Sequence, residues 1–187
     1  MPLIPRTLLV FLLSTTLHTS GQDSTQHFRS VGTLLGYGHK FNIDAVYNPI
    51  FFQSTFSWQF GRKKRNHFFA FCVEPQFNLV ETYEPLDVEY GINVGLRYYQ
   101  RLLSDLYLYE TLSSGPHYIT ASLEQQAKGF IFSDNLAFGC FKRISSKKSL
   151  FLHFQTSVRH ISNAGLKSPN WGVNTLNFLI GFSRIRL

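Results

Sequence analysis

The chain has 187 residues, 44% hydrophobic and only 16% charged, which is one domain's length and excludes a disordered chain. Aromatics reach 16%, with 19 Phe and 9 Tyr, an excess that suits strands and membrane interfaces better than helices. The formal charge of +7 fits an anionic surface such as nucleic acid or anionic lipid, although Lys and Arg are also scattered among turns as ordinary solvated charge.

The first element is a secretory signal over residues 1–21. Arg6 supplies the positive region, Leu8 to Leu13 the short apolar core, and Thr19, Ser20 and Gly21 a cleavage site before Gln22. As a membrane helix the apolar run is too short. No Cys follows it, so a lipoprotein-type signal is not expected. Cleavage removes one charge, Arg6, and +7 becomes +6. With export, nucleic acid is not expected as the partner for the basic balance, which leaves membrane lipid.

Beyond residue 21, the single domain 22–187 holds no helix-length apolar run. It shows short period-two segments between polar turns, predicting roughly eight strands near 28–39, 48–60, 67–82, 88–101, 104–114, 128–143, 149–162 and 173–186. In the second, Ile50, Phe52, Phe56, Trp58 and Phe60 oppose Gln53, Thr55, Ser57 and Gln59; in the third, Phe69, Phe71, Val73, Phe77 and Leu79 oppose Ala70, Cys72, Glu74, Gln76 and Asn78. A polar face of Gln, Asn, Ser and Gly with few charges suits a narrow, hydrogen-bonded lumen, and the apolar face then meets lipid. Connections at 61–66, 102–103 and 144–148 are short, while those near 40–47, 83–87, 115–127 and 163–172 are mostly longer. Short turns on one side and longer loops on the other fit an all-β, eight-stranded antiparallel outer-membrane barrel. Cys72 and Cys140 lack metal-ligand spacing and read as packing residues, with any disulfide between them left open.

Strand seven places Leu152, Phe154, Thr156, Val158, His160 and Ser162 on the lipid side, against Phe151, His153, Gln155, Ser157 and Arg159. A His facing hydrocarbon is unusual because exposed polar groups there cost a few kcal/mol, roughly. Residues two apart on one strand face have Cα atoms about 7 Å apart, within reach of a side-chain hydrogen bond. His beside Ser is also the base and nucleophile arrangement of acyl transfer. The ordinary alternative is a rim His that snorkels to water.

The run His160-Ile161-Ser162-Asn163-Ala164-Gly165-Leu166, followed by Pro169-Asn170 and Gly172, resembles the signature of PagL-type lipid A 3-O-deacylases. The resemblance implies an eight-stranded outer-membrane barrel with a catalytic pair on its outer wall. It further implies hydrolysis of the acyl ester at position 3 of lipid A in lipopolysaccharide, reached from the outer leaflet, with no metal or other cofactor. Carried over, Ser162 is the nucleophile and His160 the general base. Backbone N–H groups around Asn163, Ala164 and Gly165, with the Asn170 side chain, are oxyanion donors, while the same residues also serve turn chemistry. Trp171 reads as an interfacial anchor.

The family's orienting Glu falls at Asn174 here. An Asn can orient a His through its carbonyl oxygen but adds no charge. Asp134 is a second candidate: a hairpin centred near residue 147 sets it opposite His160, with Cβ atoms about 5 Å apart. The alternative for Asp134 is a solvated place at the wet rim. Glu74 and Glu110 lie on other strands, and Lys128, Lys167 and Arg159 are candidate contacts for lipid phosphate. Two other functions remain in play: a non-enzymatic structural or adhesive barrel with a degenerate site, and a soluble exported barrel that binds an apolar ligand.

Overall fold

The computed structural model describes residues 28–41, 43–64, 66–83 and 87–186, the side chains of 62–64 excepted. The expected signal segment lies outside the described residues. The alternating segments become eight strands: β1 Arg29–Lys40, β2 Asn48–Lys64, β3 His67–Glu81, β4 Asp87–Leu103, β5 Leu106–Ile119, β6 Gly129–Ser145, β7 Leu150–Ser162 and β8 Val173–Arg186. Each pairs antiparallel with the next, and β8 returns to β1, closing the barrel. Connections 65–66, 104–105 and 146–149 lie at one end with both ends of the barrel chain. The longer connections 41–47, 82–86, 120–128 and 163–172 lie at the other. These are called the turn end and the loop end below.

Parity along each strand sorts the side chains between two solvents. On β7, Phe154 and Val158 face outward, while His153 and Arg159 are wholly buried in the lumen. Large apolar side chains stand exposed all round the wall, among them Leu35, Phe71, Leu112, Phe178 and Phe182. Such a continuous apolar band is stable only against lipid. Inside, the wall's polar side chains bond to one another. Arg97 donates to Glu74 Oε1 (2.6 Å) and Thr111 Oγ1 (2.8 Å). Nearer the loop end, Arg159 pairs with Glu89, which also accepts from Tyr47 Oη (2.5 Å) and bonds His117 Nδ1 (2.6 Å). Apolar clusters fill the lumen on either side of these networks: Phe28, Phe68, Tyr99, Tyr107, Phe141 and Phe151 toward the turns, and Tyr47, Val80, Ile119, Ile131, Ile161 and Val173 toward the loops.

The structure corrects several expectations. Arg159 cannot touch a lipid phosphate, because its guanidinium is buried against Glu89 and donates to Ser133 Oγ at 2.8 Å. The disulfide that the sequence left open does not form: Cys72 and Cys140 are both free, Cys72 on the lumen side of β3 and Cys140 on the outer parity of β6. The residues 61–64 continue β2 rather than turning, and the next turn falls at 104–105 rather than 102–103. Strand β5 runs through Gly115-Pro116, where a break was expected, to Ile119. Proline lacks an N–H, and the β4–β5 ladder is interrupted between Gly91↔His117 and Val94↔Ser114. The β5–β6 ladder continues unbroken across the same residues, so β6 holds the segment in the wall. Gly115 is required there: a Cβ would sit 1.9 Å from the Ile92 carbonyl oxygen.

Breaking the buried Arg159–Glu89 pair leaves an uncompensated charge. Arg159→Ala is expected to destabilise the barrel by about 3–5 kcal/mol. The double change Arg159→Met with Glu89→Gln should cost much less, since both charges leave together. Urea unfolding in detergent micelles, followed by tryptophan fluorescence, measures both. Equal losses would show that the pair does not carry the effect.

Candidate active site on the outer wall

Strand registers assemble a polar row on the lipid-facing surface near the loop end. Ser114 on β5 lies opposite Asp134 on β6, Asp134 opposite His160 on β7, and His160 opposite Asn174 on β8. All four have outward parity. Ser162 follows one step toward the loops, opposite Phe132. His160, Ser162 and Asn174 are half-buried; Ser114 and Asp134 are exposed.

His160 Nδ1 bonds Asn174 Oδ1 at 2.6 Å. An amide oxygen only accepts, so Nδ1 carries a proton, and in the neutral ring the lone pair falls on Nε2. The opposite edge of the ring is closed by Gly172, at φ 75°. A Cβ at that position would lie 2.4 Å from His160 Cε1 and 2.9 Å from Nε2. Only glycine lets the returning chain lie against the imidazole. No hydrogen bond joins Ser162 to His160 among the described residues, and the two sit about 7 Å apart at their Cα atoms as same-face neighbours.

Asp134 lies across from His160, as the hairpin arithmetic expects, and on the outer face. Its carboxylate is engaged on the other side, where Oδ1 accepts from Ser114 Oγ at 2.5 Å. Sequence reasoning did not find Ser114, because β5 was expected to end there. The β5–β6 register, in which pairs such as 114 with 134 and 119 with 129 sum to 248, is the signal that could have found it.

The 163–172 loop is wound around Asn163. Its N–H donates to Asn170 Oδ1 (2.7 Å), and its side-chain Nδ2 to the Lys167 carbonyl (2.7 Å). Its Oδ1 accepts from Gly165 N at 3.1 Å. Ala164 and Gly165, at φ 53° and 80°, make a tight turn closed by the Leu166 N–H on the Asn163 carbonyl (3.0 Å). The N–H groups of Asn163 and Gly165 are therefore occupied. The Ala164 N–H and the Asn170 Nδ2 are the donors in this set that have no partner among the described residues. A second loop braces the first: Trp171 N donates to Gln125 O (2.8 Å) and Ala127 N to Pro169 O (3.0 Å), beside a Gln126↔Asn170 bridge. This support was invisible in the sequence, because the two segments lie far apart along the chain. Trp171 projects freely, 84% exposed, at the rim where an interfacial anchor was expected. Lys128 and Lys167 are also exposed at this end.

A closed eight-stranded barrel with an apolar exterior and a filled polar lumen is an outer-membrane β-barrel. The chain belongs to the lipid A 3-O-deacylase (PagL) family, whose family model matches residues 31–183. In fold it is similar to the outer-membrane enzyme PagL, with a TM-score of 0.60 and 13% identity over 80% of this chain and 97% of that one. It is also similar to Ail, the attachment invasion locus protein of Yersinia pestis (TM-score 0.53, 12% identity, 86% of this chain and 97% of that one). OprG from Pseudomonas aeruginosa matches with a TM-score of 0.50 at 11% identity, over 86% and 95% of the two chains. No curated protein matches the chain by sequence.

Proposed function

We propose that this protein is a serine esterase of the outer membrane that hydrolyses the acyl ester at position 3 of lipid A, acting on the outer leaflet with the loop end outward. The observation that carries the reading is the His160–Asn174 bond at 2.6 Å on the lipid-facing wall, with Ser162 two residues along the same face, in a chain of this family. His160 Nε2, held as an acceptor, takes the Ser162 hydroxyl proton as Oγ attacks the ester carbonyl. The Ala164 N–H and Asn170 Nδ2 receive the developing oxyanion. Collapse breaks the ester bond, and His160 returns the proton to the departing sugar hydroxyl. Water, activated in the same way, then releases the fatty acid from Ser162. Apo hydrogen bonds at such sites commonly tighten only when substrate binds.

The acyl chains have a surface to lie on. An apolar groove of about 470 Å³ opens on the same outer wall, lined among others by Leu108, Phe138, Cys140, Phe154, Thr156 and Phe178. At about 3.3 Å per residue, Thr156 lies about 20 Å along β7 from Ser162, the scale of an extended acyl chain. In this reading Asn174 alone orients the imidazole, and Asp134, bonded to Ser114 rather than to His160, contributes only negative charge across the strand pair.

The test is mass spectrometry of lipid A after incubation with the folded protein, where loss of one ester-linked acyl chain is expected. Unaltered lipid A from a protein with heat-modifiable gel migration would overturn the reading. It would favour a non-enzymatic barrel instead, which the uncharged Asn174 supports. Gly172→Ala is a sharper probe of His160. Its methyl group displaces the ring by an ångström or more, and such a misplacement is expected to lower kcat about 10²-fold with little change in KM. A kcat within a factor of about two of wild type would mean that the ring position does not limit the reaction.

A further inference from the structure

The polar row at the loop end has a counterpart at the turn end that the proposed reaction does not use. Arg29 on β1 lies directly opposite Arg186 on β8, and Arg184 lies two residues before Arg186 on the same outward face. All three are exposed, and none makes an ion pair among the described residues. Like charges directly opposed across a strand pair repel, with Cβ atoms about 5 Å apart. The described acid at this end, Asp105, is already bonded to Lys142 Nζ at 2.6 Å. Trp58, beside Arg29 on β2 and 43% exposed, marks the interfacial level.

Geometry decides which leaflet these guanidinium groups meet. From Asn174 to Arg186 strand β8 advances about 40 Å along its own axis, and about 30 Å along the normal at a tilt near 40°. That is the full hydrocarbon thickness. The polar row and the arginines therefore reach opposite headgroup layers. A guanidinium fork matches phosphate oxygens bidentately, and a phosphate between Arg29 and Arg186 turns their repulsion into attraction.

We propose that Arg29, Arg184 and Arg186 form a binding site for the phosphate headgroup of an anionic glycerophospholipid in the leaflet at the turn end. The site is independent of the reaction proposed above.

Native mass spectrometry of the folded protein, released from micelles containing phosphatidylglycerol, phosphatidylcholine and lipid A, tests it. The wild type is expected to retain phosphatidylglycerol, and the triple variant Arg29→Gln, Arg184→Gln, Arg186→Gln to lose about tenfold or more of it. The control Lys147→Gln with Lys148→Gln, which removes two exposed turn charges, should retain it as wild type does. Should the triple variant fail to fold, Arg29→Gln and Arg186→Gln singly carry the same expectation. Undiminished retention in the arginine variants overturns the site. Equal loss in the lysine control overturns it in favour of diffuse charge. Preference for phosphatidylcholine or lipid A, or displacement by millimolar inorganic phosphate, overturns the assigned headgroup.

Discussion

Ser162→Ala is expected to abolish acyl release from lipid A while leaving the barrel intact. Removing the nucleophile of a serine hydrolase lowers kcat on the order of 10⁴ to 10⁶-fold, because the base and the oxyanion donors have no bond-forming partner left. Ser162 is half-buried at the end of β7, opposite Phe132, and no hydrogen bond from its hydroxyl supports the wall among the described residues. Alanine there removes one oxygen from the outer surface and little else. The comparison needs lipid A mass spectra over time for both proteins, with gel migration before and after heating as the check on folding. A fluorophosphonate probe gives a second readout, labelling the wild type and not the variant. Persistent acyl release by Ser162→Ala would remove Ser162 from the mechanism.

The second large effect is a gain. Asn174 Oδ1 accepts from His160 Nδ1 at 2.6 Å, and an amide there gives an imidazolium no countercharge at that atom. In a serine protease the reverse change, Asp to Asn, costs about 10⁴ in kcat, partly through the wrong tautomer. Here the amide oxygen already selects the tautomer with Nδ1 protonated, so the recoverable part is the charge. Asn174→Glu is therefore expected to raise kcat by about 10² to 10³-fold. Asp134 sets the scale of that gain. Where its carboxylate supports the imidazolium across the β6–β7 pair, Asp134→Asn lowers the rate in the wild type and much less in the Asn174→Glu background. Additive effects in the double variant would mean that the two carboxyl positions act separately. No gain from Asn174→Glu in a folded protein would show that charge beside Nδ1 does not limit this site.

Much of this arrangement was legible along the chain. Alternation has a period of two, so parity alone sends Phe154, Val158, His160 and Ser162 to one face and His153 and Arg159 to the other. Short hairpins fix register through their length, which is why 134 and 160 could be paired by arithmetic, and 160 with 174 across the loop. The same logic failed at Gly115-Pro116, where a turn-like dipeptide sits inside a strand held by its β6 neighbour. That error concealed Ser114 and with it the bond that draws the Asp134 carboxylate toward β5. Arg159 shows a different limit. Parity places it inward, yet nothing in its local sequence names Glu89, seventy residues away, as its partner.

What the sequence alone determined is the class of the object: an alternating wall whose apolar face needs lipid and whose His160 and Ser162 stand on that face. These follow from backbone geometry, which is local and repeats every two residues. The tertiary structure alone decided how the site is held: Gly172 against the imidazole, the 120–128 loop bracing Asn170, Glu89 neutralising Arg159, and Arg29 set beside Arg186. Each depends on which strands meet when the barrel closes. Such contacts join segments far apart in the chain, and no local period encodes them.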